Sequence, residues 1–237
     1  MKIWCRKSLT QFNQADSDAK VQRREGSQRA FWCSCLSMLS LLSLLSTVTA
    51  NDATAEASNK VDTRLVDAAE SKSWPMVAKL VREGVNATQP QPDGMAAIHW
   101  AVYHDDQRTV GLLIGANCDV NAKTRYQVTP LSIACQLGRA DSARQLLAAG
   151  ADPNATLPGG ETLLMTACRT GNVEVVKQLL KNKVQINATE RREQTALMWA
   201  AAEGHADVVD LLIKAGADVG KSTPTGFSAI MFAARQG

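Results

Sequence analysis

A chain that repeats itself at a fixed step has few folds open to it, and this one keeps a single step along most of its length. Slid against itself, it aligns MAAIHWAVYHDDQRTVGLLI, VTPLSIACQLGRADSARQLL, ETLLMTACRTGNVEVVKQLL, QTALMWAAAEGHADVVDLLI and the shorter FSAIMFAARQG. The second residues of these segments are Ala96, Thr129, Thr162, Thr195 and Ser228, and each neighbouring pair differs by 33 with no insertion. One step further back lies Thr63, where TRLVDAAESKSWPMVAKLVREGVNA keeps the apolar spacing on a more polar background, as a terminal cap should. A unit of this length holds one supersecondary motif that cannot bury both of its faces alone, so neighbouring units must stack.

The residue types within one unit predict a pair of short helices. Thr129, Thr162, Thr195 and Ser228 suit a helix start, where a side-chain oxygen accepts from an otherwise unpaired backbone N–H. Pro130 follows one of them at the first helical position, where its missing N–H costs nothing. Gly138, Gly171 and Gly204 stop the first helix after about two turns. The valine and leucine run that follows has helical spacing, and Gly84, Gly150 and Gly216 close it. Asn117 takes the closing position in its unit and Lys183 takes it in another, where a weaker turn is expected.

These positions carry a resemblance to the ankyrin repeat. Thr129-Pro130-Leu131, Gly204-His205, Val208-Val209-Asp210-Leu211-Leu212 and Gly216-Ala217-Asp218 match its pattern residue for residue, and the resemblance covers residues 58–237. It implies an all-α solenoid of stacked helix-turn-helix units joined by short β-hairpin loops. The units fall at about 58–90, 91–123, 124–156, 157–189 and 190–222, with a shortened one at 223–237. Stacking would align Trp100, Ile133, Thr166, Trp199 and Phe232 in one ladder and Val102, Cys135, Cys168, Ala201 and Ala234 in another. Cys135 and Cys168 then read as small packing residues rather than redox groups. Met165, Met198 and Met231 replace the family's histidine as core filling, whereas His99 keeps it and should make a local hydrogen bond.

Ahead of the repeats, Phe31 to Thr49 form a Leu/Ser-rich apolar run preceded by Arg23, Arg24 and Arg29. Small residues follow it, with Val48 and Ala50 at the positions a leader peptidase reads. Residues 1–50 are thus expected to be a signal peptide cut after Ala50, with 51–57 a linker, which makes the product periplasmic or extracellular. Left uncut, a run of this length just spans roughly 30 Å of hydrocarbon and would anchor the repeats at a membrane. Cys5, Cys33 and Cys35 belong to this leader, so an odd number of cysteines remains with the repeats.

Basic residues outnumber acidic ones in that leader, whereas beyond it the two signs nearly cancel. So balanced a surface lacks the basic stripe that phosphate backbones require, and no nucleic-acid partner is expected. Catalytic patterns are missing too: the three histidines, His99, His104 and His205, form no HExxH, and there is no nucleophile elbow, paired CxxC or phosphate loop. Pro158-Gly159-Gly160 lacks a following GK[ST] and reads as a turn. No enzyme, cofactor or metal site is expected in this sequence.

What remains is surface. The resemblance implies a concave face, made of hairpin tips and the exposed ends of first helices, that grips another protein. Counted from each marker, that face holds Tyr103, His104, Arg125, Tyr126, Arg169, Arg191, Arg192 and Glu203. Tyrosine and arginine are enriched at interface hot spots because each joins large contact area to directed hydrogen bonds. Arg191 and Arg192, beside Glu190 and Glu193, also read as an ordinary solvated loop. The repeat frame further predicts a chain that continues past Gly237, since the sixth unit opens at Thr223 and stops before its second helix. Exported bacterial ankyrin proteins, which the long gap-free array resembles, can carry a further domain; an alternative function is therefore recruitment for an enzyme or redox domain downstream.

Overall fold

The computed structural model describes residues 62–236, and the leader, the linker and the first residues of the opening repeat lie outside them. Eleven helices fill the described residues, paired as the repeat predicts. The first-position helices are α1 (Arg64–Glu70), α3 (Ala97–Tyr103), α5 (Pro130–Leu137), α7 (Leu163–Thr170), α9 (Ala196–Ala202) and α11 (Ala229–Gln236). Their partners are α2 (Trp74–Arg82), α4 (Gln107–Gly115), α6 (Ala140–Ala148), α8 (Val173–Lys181) and α10 (Ala206–Lys214). First helices pack on first helices and second helices on second helices, each in chain order, with every pair also packed together.

One ladder shows why the units need each other. Leu65, Ile98, Leu131, Leu164 and Leu197 recur at the repeat interval and are all at most 2% exposed, because each is covered by the next helix pair. The same step in the second helices runs through Leu80, Leu113, Leu146, Leu179 and Leu212, likewise buried. Each such side chain contributes about 1.5–3 kcal/mol on leaving water, which no isolated pair could collect. In α11 the equivalent Ile230 is 66% exposed, since no further helix covers it among the described residues.

Helix starts follow the predicted capping. Thr129 Oγ1 accepts from the Ser132 N–H at 3.1 Å while the Thr129 N–H donates to Ser132 Oγ at 2.9 Å. Thr162 and Thr195 accept in the same way from the N–H groups of Met165 and Met198. Ala96 has no oxygen to offer, and His99 completes the other half: its Nδ1 accepts from the Ala96 N–H at 3.1 Å. The ring proton is therefore on Nε2, which donates to the Val128 carbonyl at 3.3 Å and ties one hairpin to the helix before it. Thr63 departs from the pattern; its backbone is already helical, and its hydroxyl donates to Asp67 Oδ2.

Each repeat bends the backbone into the left-handed region three times, at the end of each helix and in the hairpin. Glycine fills most of these places, but Lys72, Asp105, Asn117, Gln127, Lys183 and Glu193 adopt φ of 55–60° in the others. The hairpins are tight turns, as in Gly94 N–H to the Gln91 carbonyl at 2.8 Å and Gly160 N–H to the Leu157 carbonyl at 2.8 Å. Strand pairing among the described residues reduces to isolated bridges, Thr156 with Thr162 and Ser222 with Ser228. A loop this short offers no run of backbone groups to form a longer ladder. On the opposite side of the repeat, asparagines knit the loops together: Asn121 and Asn187 each accept from the next loop's N–H, at Asp152 and Asp218, and donate to a carbonyl at Gly150 and Gly216.

Candidate partner-binding face

The face lies where hairpins meet the exposed ends of first helices, and its chemistry changes from repeat to repeat. At the N-terminal end an aromatic cluster forms around His104, the residue capping α3. The ring of His104 stacks on Trp100 at 5.9 Å, while Tyr103 and Trp74 meet it edge-on at 5.0 and 5.9 Å. Burial among these rings, and secondly the charge of Lys72, lower its pKa, so it stays neutral near pH 7. Tyr103 remains 46% exposed on top of this cluster. Short aromatic side chains held by their neighbours lose little entropy on contact with a partner.

Next along the face comes the hairpin carrying Arg125 and Tyr126. The Arg125 N–H donates to the Asp93 carbonyl of the preceding hairpin at 2.9 Å, which fixes the tip. Its guanidinium lies 5.9 Å from the Tyr126 ring centre, and Tyr126 is 57% exposed. Arg169 is placed otherwise. Its guanidinium covers the Trp199 ring at 5.5 Å and pairs with Glu161 at 3.6 Å, and its carbonyl accepts from His205 Nε2. Glu161 is itself held by the Thr166 hydroxyl at 2.8 Å. This arginine is thus half spent on its own fold.

Arg191 and Arg192 share one hairpin tip and separate in role. Arg191 donates to the Pro158 carbonyl of the preceding hairpin at 2.9 Å. Arg192 instead lines a cleft with Thr223, Thr225, Phe227, Phe232 and Arg235. Glu203, the C-terminal residue capping α9, is exposed. The eight residues expected from sequence are therefore spread over four repeats, one to three in each, at hairpin tips and first-helix ends rather than in a single pocket. Trp74, Phe232 and Arg235 pack beside members of this set and lie beyond it, whereas Glu161 stands at a hairpin position that the same counting reaches. Counting two more repeats from Arg169 reaches Arg235, so its signal is in the sequence; Trp74 sits on a second helix and has no such signal.

Elsewhere the groups with potential chemistry are quiet. Cys118, Cys135 and Cys168 are free and buried, and burial pushes the Cys118 and Cys135 thiols up to about 11 and about 12. Cys168 is raised as well, chiefly by burial and then by neighbouring Cys135. A thiol so shifted supplies almost no thiolate near neutral pH. Among the described residues no three His, Cys, Asp or Glu side chains gather as a metal site requires, and no helix is long and apolar enough to cross a membrane.

A family model for ankyrin repeats, in three copies, matches residues 65–157 and 145–223. Those spans contain four of the five left-handed hairpin positions and, but for Arg64, all of the helices before α11. With helix pairs stacked in chain order at one constant step, and this match over well more than half of its length, the chain belongs to the ankyrin-repeat family, whose repeats serve as protein-interaction scaffolds.

Proposed function

We propose that this chain is a non-enzymatic scaffold that holds another protein against the hairpin-and-first-helix face, and that it acts outside the cytoplasm after export through residues 1–50. One observation carries the binding reading: both tyrosines of the chain lie on this face and are 46% and 57% exposed. Leaving large amphipathic rings in water gains a monomer nothing, whereas burial under a partner is where such residues contribute most. Arg125 and Arg192 are exposed as well, and guanidinium groups favour carboxylate-bearing partners. The export reading is supported by the basic stretch, the apolar run at 31–49 and the small residues ending at Ala50.

Capture from the native extract tests the binding reading. Wild-type protein is compared with Tyr103→Ala combined with Tyr126→Ala, and with Arg144→Ala, whose side chain pairs with Asp141 on α6. Loss of two hot-spot side chains is expected to lower recovery of the captured partner by about tenfold or more, with the Arg144 variant unchanged. Equal recovery by all three proteins refutes it. Arg169 is unsuitable as a probe, because its removal also undoes the contacts with Trp199 and Glu161.

A further inference from the structure

We propose that the cleft between the hairpins at 190–194 and 223–227 seats a carboxylate of the partner, with the residue next to it placing an apolar side chain on the aromatic floor. The proposal rests on the reading of this face as the protein-binding surface and names the chemistry recognised at one end of it.

The protein itself shows what an arginine at this place takes. Arg169 on α7 and Arg235 on α11 occupy the same repeat position, two units apart. Around Arg169 the fold supplies both partners: an aromatic face from Trp199 at 5.5 Å and a carboxylate from Glu161 at 3.6 Å. Two repeats on, Arg235 also meets an aromatic ring, here one from its own helix rather than from the next repeat: it lies 5.9 Å from the Phe232 ring centre. The carboxylate is not kept: the position equivalent to Glu161 holds Phe227, whose ring packs at 5.8 Å from Phe232. Arg192 brings a second guanidinium to the same cleft, and among the described residues neither Arg192 nor Arg235 makes an ion pair.

Two arginines lining one cleft with two phenylalanines match a planar anion on an apolar stem. A carboxylate accepts parallel N–H donors from such forks, which a neutral amide of the same shape cannot do as well. The cleft, about 380 Å³, is near the lower limit for ligand pockets, so it suits one or two side chains of a chain lying along the groove. That carboxylate can come from an Asp or Glu side chain or from the partner's chain terminus.

The probes are three synthetic peptides titrated into the full ¹⁵N-labelled chain and followed by amide NMR: acetyl-Ala-Glu-Phe-Ala-amide, its Gln counterpart, and acetyl-Ala-Ala-Phe with a free carboxyl end. At least one carboxylate peptide should bind about tenfold more tightly than the Gln peptide, as expected for charge-assisted bonds, with shifts centred on residues 223–235. Which of the two binds better identifies the source. Arg192→Gln with Arg235→Gln should remove that preference while far-UV circular dichroism stays unchanged. Phe227→Glu, which rebuilds the Glu161 arrangement, should lower carboxylate binding by about tenfold through internal competition. Equal binding of all three peptides, no binding of any, or an unaffected preference in the double arginine variant overturns the proposal. The tyrosine capture experiment is independent of these outcomes, so the cleft can fail while the binding face stands.

Discussion

Alanine placed at Gly94 should cost far more than alanine placed at Gly84, although both glycines are left-handed, with φ of 89° and 79°. The shared cost is conformational. A Cβ in this region is disfavoured by about 1–2 kcal/mol, and the less flexible unfolded chain returns about 0.5–1 kcal/mol of it. At Gly84 nothing lies within 4 Å of the added Cβ, so the net loss should stop near about 1 kcal/mol, as the difference of those terms gives. At Gly94 the Cβ would stand 2.7 Å from Thr124 Cα and 3.0 Å from the Lys123 carbonyl oxygen. Both are backbone atoms of the next hairpin, which is bonded to this one through the Arg125 N–H and the Asp93 carbonyl at 2.9 Å. Neither can rotate aside, so one hairpin must shift against its neighbour, and overpacking of this kind adds about 1–3 kcal/mol. The expected total is about 2–4 kcal/mol at Gly94 against about 1 kcal/mol at Gly84. Urea unfolding read by both circular dichroism and tryptophan fluorescence measures the difference, provided the slopes agree with wild type. Equal destabilisation by the two substitutions would show that the hairpins are not in rigid contact, and the reasoning would fail.

Lys183 holds a left-handed turn at φ 55° that three other repeats give to glycine, at Gly84, Gly150 and Gly216, so Lys183→Gly should stabilise by about 0.5–1 kcal/mol, read as a rise in urea midpoint. His99 is buried and its pKa is lowered, mainly by that burial, so protons bind the unfolded chain first. Its contribution is complete above about pH 6.5, the unfolded value, and shrinks as pH falls below it; His99→Met, which copies Met165 and Met198, should flatten the fall in Tm between about pH 7 and 5. The buried thiols of Cys135 and Cys168 should resist a disulfide-exchange reagent in native protein and react once urea unfolds it, as mapped cysteine by cysteine by mass spectrometry.

Much of the fold is legible in the sequence because it is periodic. A threonine at the start of α5, α7 and α9 and an apolar residue two places later are local signals, and their recurrence at one fixed step turns each into a packing statement. The left-handed turns are legible where glycine marks them and, at Asn117 and Lys183, where the register places a closing turn. Lys72, Asp105, Gln127 and Glu193 take the same backbone conformation because the repeats on either side dictate it, and nothing in those residue types says so. His99 makes the local hydrogen bond that its position predicts, yet its second bond, to the Val128 carbonyl, depends on a hairpin in the next repeat.

By itself the sequence determined the stack: the helix pairs, their order, the buried ladder and the face on which Tyr103, Tyr126 and the arginines stand all follow from composition repeated in register. Only the tertiary structure decided which of those arginines are engaged within the fold. Arg169 is bound to Glu161 and Trp199, Arg191 to the Pro158 carbonyl, and Arg192 and Arg235 share an aromatic cleft without a carboxylate. The reason is geometric: a surface side chain is satisfied or left open by groups one hairpin or one repeat away, and their reach is set by how closely the units stack.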